Sequence, residues 1–303
     1  MIRRRRRPAD RRPRRGLVAL LALAQVLVLA GASVAAVERW VSLPLANDGM
    51  YVLLVMGSDQ GPPRSDSVLD GRADGIHLVV VDEEREHVSI VSVPRDSYVP
   101  VRGMGTTKVN AMLTRGAENA VGTMEDLTGL DIDDWIVTGF DAMIVGVDEF
   151  GGIHHDVEQR LNNSKANTNM QPGRQRLTGW GALGYSRDRG SRPNGDIGRS
   201  TGQGRLLASM HAELLDDVSS PLQLMDVAGI LRRHTVSSIP TDRLVRLGVT
   251  AMRIDPANVA QVTAPGNVGT AGAASVYRLS DGAFGIFADL RDDGRLSVFD
   301  SEG

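Results

Sequence analysis

The chain has 303 residues, of which 34 are basic and 37 acidic, and it contains no cysteine. The absence of cysteine excludes a disulfide framework and thiol catalysis, so any exported domain must be stabilised by its hydrophobic core. The length is ample for one large domain with such a core.

The first 37 residues predict a membrane anchor. Nine arginines and one aspartate lie within residues 1–16, and residues 17–37 follow with Gln25 and Ser33 as the only clearly polar side chains. Twenty-one such residues suffice to cross a hydrocarbon core of about 30 Å as a helix. Positive charge holds the preceding segment in the cytoplasm. We therefore expect a single-pass protein of the cell membrane with a cytoplasmic N-terminus and an extracellular C-terminal domain.

Two alternatives to a retained anchor exist. Small residues near Ser33 and Ala35 would suit cleavage of a signal peptide, although the apolar stretch is longer than usual for one. The arginine run would also suit nucleic acid, but its position next to a spanning segment favours a topology signal, and we expect no nucleic-acid partner. Beyond residue 16 the chain has 25 basic and 36 acidic residues, so any phosphate site there must be a local concentration of arginine.

The remainder of the chain divides into three parts. Residues 38–48 form a short linker, and residues 49–218 form the core of an α/β domain. Residues 219–303 carry enough apolar patterning to form an extension that packs on this core. The pattern predicts a central mixed β-sheet flanked by helices, an α/β/α sandwich.

Three predicted strands bring polar residues to one edge of this sheet. The apolar run at 51–56 ends near Asp59, and the β-branched runs at 76–81 and 87–93 predict a hairpin centred between residues 84 and 85. Asp74 and Arg95 are equidistant from that centre, so they should emerge opposite each other. Asp59 reaches the same edge if the first strand is parallel to the third.

A second polar cluster precedes a predicted amphipathic helix at 206–215. Its members, all within residues 187–203, are Arg187, Asp188, Arg189, Asp196, Arg199 and Gln203. Planar guanidinium groups match phosphate oxygens, and several together suit a diphosphate. Arg199 and Gln203 are four residues apart and share one face of a first helical turn, where backbone N–H groups favour anions. A solvated charged loop is the alternative, and the first cluster favours a site instead.

Further elements follow from periodicity. Helices are predicted around 117–127, 142–147, 222–231, 241–254 and 282–290, and strands around 135–137, 153–157, 259–264 and 274–279. Two stretches without a periodic apolar pattern predict loops: 162–174, expected at a substrate mouth, and 264–274. His77 and His87 are expected as sheet-face residues, and His154–His155 lack a third metal ligand at a useful spacing.

Eight ordered motifs between about residues 50 and 215 resemble the signatures of the LytR–CpsA–Psr family. They are Gly57–Asp59, Gly71–Ile76, Ser92–Tyr98, Lys108–Ala111, Asp148–Ile153, Leu177–Leu183, Tyr185–Arg189 and Gly195–Arg199. Members of this family are envelope phosphotransferases that move glycan chains from a polyprenyl-pyrophosphate carrier onto the cell wall, generally with magnesium. The resemblance implies a glycan donor on that carrier, an acceptor in peptidoglycan or related wall polymer, and the membrane as partners.

The resemblance also implies residue roles. Asp59, Asp74 and Arg95 would be catalytic, and Asp59 and Asp74 would hold Mg²⁺ or Mn²⁺ unless one of them takes the proton of a sugar hydroxyl. The pyrophosphate would be bound by Arg95, Lys108, Arg187, Arg189, Arg199 and Gln203. Asp96 and Asp196 would orient the arginines. The prenyl chain would lie in an apolar cavity between the sheet and the helices.

Four positions depart from the family pattern. Gly202 stands where an arginine is usual, Gly204 where a glutamine is frequent, Gly61 where an arginine is common and Gly75 where a threonine is expected. Each departure removes a potential phosphate contact. The alternative function is therefore a non-catalytic protein of the envelope that binds polyprenyl phosphate or has a regulatory role.

Overall fold

The computed structural model describes residues 39–40, 43–46, 49–60 and 67–296. The chain forms two compact units, residues 1–43 and residues 44–303, and nearly all described residues belong to the second. The predicted anchor at 17–37 lies outside the described residues and stays a prediction. Within the described part of the chain, no helix combines the length and the apolarity that a bilayer crossing requires.

The second unit contains fourteen strands and seven α-helices among the described residues. The strands are β1 (Met50–Ser58), β2 (Ala73–Asp82), β3 (His87–Ser92), β4 (Tyr98–Val101), β5 (Gly105–Lys108), β6 (Asp134–Thr138), β7 (Ile153–Val157), β8 (Leu161–Asn163), β9 (Thr168–Met170), β10 (Gly173–Leu177), β11 (Thr235–Ser237), β12 (Val259–Thr263), β13 (Gly266–Ala271) and β14 (Ala274–Leu279). The helices are α1 (Ala117–Thr128), α2 (Phe140–Phe150), α3 (Gly179–Arg187), α4 (Asp196–Asp217), α5 (Pro221–His234), α6 (Thr241–Ala251) and α7 (Asp281–Asp293).

Six strands form the central mixed sheet, in the order β11-β6-β1-β2-β3-β12. β6, β1, β3 and β12 run in one direction, and β2 and β11 run in the other. The β2–β3 hairpin pairs Asp82 with His87, so its centre falls between Glu84 and Arg85, as predicted. Both edge strands come from the segment 219–303, so this segment completes the sheet.

Helices cover both faces of the sheet because successive residues of β1 point to opposite sides. Leu54 and Met56 pack into a core with residues of α1 and α7. Tyr51 and Leu53 pack on the other face with residues of α5 and α6. Burial of each such side chain contributes about 1.5–3 kcal/mol. The prediction of a central mixed sheet flanked by helices is thus confirmed.

A third apolar cluster joins α3 and α4 to the small strand pairs β7–β10 and β8–β9. The prediction of a loop over 162–174 was wrong, because this stretch contains β9 and parts of β8 and β10. The predicted loop over 264–274 contains β13, which pairs with β14 along its whole length. The first stretch is rich in Asn and the second in Gly and Ala, so backbone pairing stabilises strands that carry no alternation of large apolar side chains.

Candidate functional site

A cavity of about 650 Å³ opens at the edge of the sheet where β1, β3 and β6 end and β2 begins. Asp59, Asp74 and Arg95 line it, as do Arg187 and Arg199 from the distant second cluster. The ends of several parallel strands and the start of a helix thus meet at one place, a common position for ligand sites in α/β sheets.

Arg95, Arg199 and Asp74 in the cavity lining form one charged cluster with Asp196, which does not itself line the cavity. Nη1 of Arg95 lies 2.7 Å from Oδ1 of Asp74, and Nη2 of Arg199 lies 3.0 Å from Oδ1 of Asp196. Cross-contacts join the pairs, since Arg95 Nε is 3.4 Å from Asp196 and Arg199 Nη1 is 3.8 Å from Asp74. Asp196 therefore contacts both arginines, which fits the orienting role that the resemblance implied for it.

The charges in this cluster are only partly exposed to solvent. The side chain of Arg199 is 7% exposed, and burial lowers its pKa. Burial also opposes the charge on Arg95, but the hydrogen bond to Asp74, together with the charges of Asp74 and Asp196, outweighs it and raises the pKa of Arg95. Both guanidiniums remain charged at physiological pH. They can therefore bind an anion whose charge is higher than that of a single carboxylate.

Arg187 and Arg189 extend the positive side of the cavity from the C-terminal end of α3. The guanidinium carbon of Arg187 lies 4.7 Å from the ring centroid of Phe140, and this contact positions the side chain across the cavity. Gln203, on α4, donates from Nε2 to the backbone oxygen of Ser186 at 2.9 Å, so its amide is anchored to α3.

Asp59 is fixed by the backbone that precedes β2. Its Oδ1 accepts a hydrogen bond from the N–H of Arg72 at 2.8 Å. Gly71 permits this arrangement, since a Cβ at that position would lie 2.7 Å from the same oxygen. Asp59 and Asp74 are the two carboxylates at the predicted metal position. The described residues contain no group of three or more His, Cys, Asp or Glu side chains able to hold a metal ion by themselves.

One end of the cavity is apolar. The side chains that form it are Val55, Phe140, Met143, Leu183, Leu206, Leu207 and Met210. They come from the sheet and from α2, α3 and α4, so this end lies between sheet and helices. The cavity therefore combines a cationic region with an apolar one.

Three predicted site residues do not line the cavity: Lys108, Asp96 and Asp196, of which Asp196 contacts the lining residues Arg95 and Arg199. Nζ of Lys108 lies 2.9 Å from Oδ1 of Asp96, and this ion pair holds both side chains away from the arginine cluster. Phosphate binding by Lys108 is therefore not supported by its position. Asp96 acts on Arg95 only through its charge, which contributes to the raised pKa of that residue.

His77 is a cavity residue that the sequence pattern did not indicate. Regular alternation would place Asp74 and His77 on opposite faces, but the β1–β2 register shifts where Gly57 pairs with Gly75 and Ser58 with Ala73. This bulge turns Asp74 to the side of His77. The His77 ring is 4% exposed, and its Nδ1 lies 2.9 Å from Ser92 Oγ. Burial and the charge of Arg199 lower its pKa to about 4.

Two of the glycines that depart from the expected motif are explained by packing. A Cβ at Gly202 would lie 2.6 Å from Nη2 of Arg192, whose buried guanidinium pairs with Glu158 and stacks on a tyrosine ring. A Cβ at Gly204 would lie 2.7 Å from Nε2 of Gln261 on β12. A larger side chain at either position would require these neighbours to move. Gly61 lies outside the described residues.

The LytR_cpsA_psr family model matches residues 30–287 of the chain. A similar curated protein is the probable cell wall biosynthesis protein LcpB of Corynebacterium glutamicum, which is 31% identical over 220 residues covering 69% of this chain. The chain spans 52% of the length of LcpB, and 62% of the length of a staphylococcal regulatory protein that it also matches.

Solved structures share the fold. TagV of Bacillus subtilis superposes with a TM-score of 0.72 at 21% identity, covering 82% of this chain and 98% of TagV. TagT bound to LI-WTA superposes with a TM-score of 0.66 at 18% identity, covering 81% of this chain and 90% of TagT. At such identities the similarity establishes the fold alone. The ligand has to be inferred from the chemistry of the cavity.

Proposed function

The chain belongs to the LytR–CpsA–Psr family, and we propose that it transfers a glycan polymer from a polyprenyl-pyrophosphate carrier onto the cell wall. A role in cell wall glycopolymer transfer agrees with the cell wall biosynthesis protein among its relatives and with the structural neighbour that was solved with LI-WTA. The proposal adds the chemical nature of the donor, the bond that is made and the residues that act.

One observation carries the proposal: a single cavity joins a cluster of arginines to an apolar end. Arg95, Arg187, Arg189 and Arg199 line the first part, and the side chains of α2 and α4 line the second. A lipid pyrophosphate has the complementary construction, with a doubly charged diphosphate next to a prenyl chain. A soluble nucleotide or sugar phosphate would leave the apolar end without an occupant.

The arginines account for binding and for stabilisation of the transition state. Before the donor binds, Asp74 and Asp196 balance part of the charge on Arg95 and Arg199. A diphosphate brings more negative charge and more oxygens, and guanidinium groups bind phosphate oxygens through two parallel hydrogen bonds. Charge that builds on the phosphoryl oxygens during transfer is then stabilised by groups that are already in place.

The transfer step is a substitution at phosphorus. The oxygen of an acceptor hydroxyl bonds to the phosphorus that carries the sugar, and the bond from this phosphorus to the prenyl phosphate oxygen breaks. The products are a phosphodiester between glycan and acceptor, and prenyl monophosphate. The hydroxyl proton passes to a carboxylate that lines the cavity, either Asp59 or Asp74.

The same two carboxylates fit Mg²⁺ or Mn²⁺. These ions are commonly bound through one or two carboxylates together with the phosphates of the substrate. Because the described residues supply no third acidic or histidine ligand, Asp59 and Asp74 would hold the ion jointly with the diphosphate. The ion would supply positive charge next to the phosphoryl oxygens.

The direct test is turnover by the full-length protein in detergent with Mg²⁺. The substrates are a prenyl-pyrophosphate-linked glycan and fragments of cell wall, and the products to be measured are prenyl monophosphate and glycan-bearing wall fragments. We expect both products from the wild type, and from Asp74→Ala formation of each that is slower by about a hundredfold or more. Binding of the donor by the wild type without formation of either product would instead support a binding or regulatory role.

A further inference from the structure

A turn at the mouth of the cavity connects β8 and β9. Residues Asn163–Ala166, here called the rim turn, all line the cavity. The turn is closed by hydrogen bonds from the N–H of Ala166 to the Asn163 backbone oxygen at 3.2 Å, and from the N–H of Lys165 to Asn163 Oδ1 at 3.0 Å. These hydrogen bonds give the turn a defined conformation.

The buried carboxylate of Asp188 fixes the rim turn to the arginine-bearing segment. Its Oδ1 accepts from Nδ2 of Asn163 at 2.8 Å, and its Oδ2 accepts from Oγ1 of Thr168 at 2.6 Å. Ser191 donates to it from both its N–H and its hydroxyl. Burial disfavours the charge, but these hydrogen bonds outweigh burial and lower the pKa of Asp188. Since Asp188 lies between Arg187 and Arg189, it ties the turn to two predicted phosphate ligands.

Two glycines permit this close approach. A Cβ at Gly190 would lie 2.8 Å from Nδ2 of Asn163, and a Cβ at Gly184 would lie 3.1 Å from the backbone oxygen of Ala166. The rim turn is thus packed directly against α3 and the residues after it. Such support from a buried polar group and close packing is what holds a recognition element in one geometry.

Lys165 places an ammonium group on this rim. It is one of two lysines in the chain, and the other, Lys108, is paired with Asp96. Among the described residues, no carboxylate forms an ion pair with Lys165, whereas Arg95 and Arg199 share two aspartates. The mouth of the cavity therefore carries a positive charge that no carboxylate of the described residues pairs with, on a compact group with three hydrogen-bond donors.

We propose that the rim turn selects donors whose glycan bears an anionic group, a carboxylate or a phosphate, close to the diphosphate. Lys165 binds that group, and Asp188 is the positioning residue that holds the turn. The inference rests on the proposed function, because it assumes a diphosphate at the arginines and a prenyl chain at the apolar end. When the diphosphate and the prenyl chain occupy those two regions, the attached sugar extends out through the mouth of the cavity, where the rim turn lies.

The test compares three short-chain prenyl pyrophosphates that carry a neutral hexose, a hexuronic acid or a hexose phosphate. Their affinities for the full-length protein are measured by calorimetry at fixed salt. We expect the wild type to bind at least one anionic donor about tenfold more tightly than the neutral one. The preferred donor identifies carboxylate or phosphate as the recognised group. Lys165→Gln should abolish this preference, and Lys165→Arg should retain most of it.

Two further variants separate specific recognition from general charge and from folding. Arg205→Gln removes a positive charge from a half-exposed side chain of α4 outside the cavity lining, and it should keep the preference. Asp188→Asn should reduce the preference for an anionic donor. Damage to the fold alone would instead weaken the binding of all three donors equally.

The outcomes also distinguish the two proposals. Equal affinity of the wild type for all three donors, or an unchanged preference in Lys165→Gln, would overturn the role of the rim turn and leave the proposed function standing. Failure of the wild type to bind any of the three would overturn the proposed function, and the inference about the rim turn with it.

Discussion

Asp74 near the start of β2 and Arg95 just after β3 lie at the open end of the β2–β3 hairpin, and their side chains meet at 2.7 Å across 21 residues of chain. The meeting follows from the hairpin register, since the two residues are equidistant from its centre. The same aspartate also faces Arg199, which comes from a helix far along the chain. Asp74 therefore links the two polar clusters that the sequence shows separately.

Replacement of Asp74 by alanine should reduce turnover by about a hundredfold or more, because the variant lacks the carboxylate that we propose as metal ligand or proton acceptor. The side chain is 25% exposed, so we expect little loss of stability. Turnover and the urea midpoint of unfolding are measured together. Asp126→Ala is the matched control, since Asp126 forms a comparable pair with Arg102 outside the cavity lining. Normal turnover in a folded Asp74→Ala protein would remove this residue from the mechanism.

Arg187→Ala and Arg199→Ala should each weaken binding of prenyl pyrophosphate by about 1.5–3 kcal/mol, the contribution of a lost charge-assisted hydrogen bond. Replacement by lysine should not fully restore binding, because an ammonium lacks the planar fork of donors. Calorimetry at fixed salt and magnesium measures the affinities. Arg205→Ala is the control. Equal losses in all three alanine variants would indicate general charge attraction in place of a specific pocket.

Introduction of arginine at Gly202 should not tighten binding of the diphosphate. The family resemblance suggested that this change would restore a phosphate contact, but the guanidinium of Arg192 occupies the adjacent space. Overpacking of this kind costs about 1–3 kcal/mol, so the free energy of unfolding should fall. Gly285→Arg is the matched control on α7, where an added Cβ meets no atom within 4 Å. A Gly202→Arg protein of normal stability with higher affinity would contradict the packing seen here.

His77 should make stability depend on pH in the acidic range. Its pKa is about 4 in the folded protein, against 6.5 for an unperturbed histidine, so the unfolded chain binds the proton more readily between these values. The contribution of neutral His77 is complete above pH 6.5 and is lost as the pH falls towards 4. The loss amounts to at most about 1.4 kcal/mol per pH unit.

Urea unfolding of the wild type and of His77→Met measures this contribution. The variant should lose less stability than the wild type between about pH 7 and about pH 5, since other titrating groups are common to both. Identical pH dependence in the two proteins would show that His77 takes up its proton as readily in the folded protein as in the unfolded chain.

The sequence predicted the centre of the site well, because strand patterns and hairpin symmetry determine where side chains emerge. Asp59, Asp74 and Arg95 reach one cavity for that reason, and Arg199 and Gln203 reach it on one face of α4. The β2–β3 register follows directly from two β-branched runs on either side of a short polar turn.

Three features were beyond the reach of sequence patterns. The bulge that brings His77 and Asp74 to the same face of the sheet depends on a register shift between β1 and β2. The periodicity of apolar residues in the sequence does not indicate such a shift. The proposed role of the rim turn depends on the burial of Asp188, which the sequence analysis grouped with the polar cluster at 187–203 without indicating that it is buried. Lys108 lies away from the cavity because it forms an ion pair with Asp96. Similarity of motifs does not indicate which residue a lysine pairs with.

The most direct test of the central claim is a crystal structure of the protein with a prenyl pyrophosphate. We predict density for the diphosphate between Arg95, Arg187, Arg189 and Arg199, with the prenyl chain along Phe140, Met143 and Met210. Density for the lipid at another surface, or a diphosphate that contacts none of these four arginines, would contradict the account.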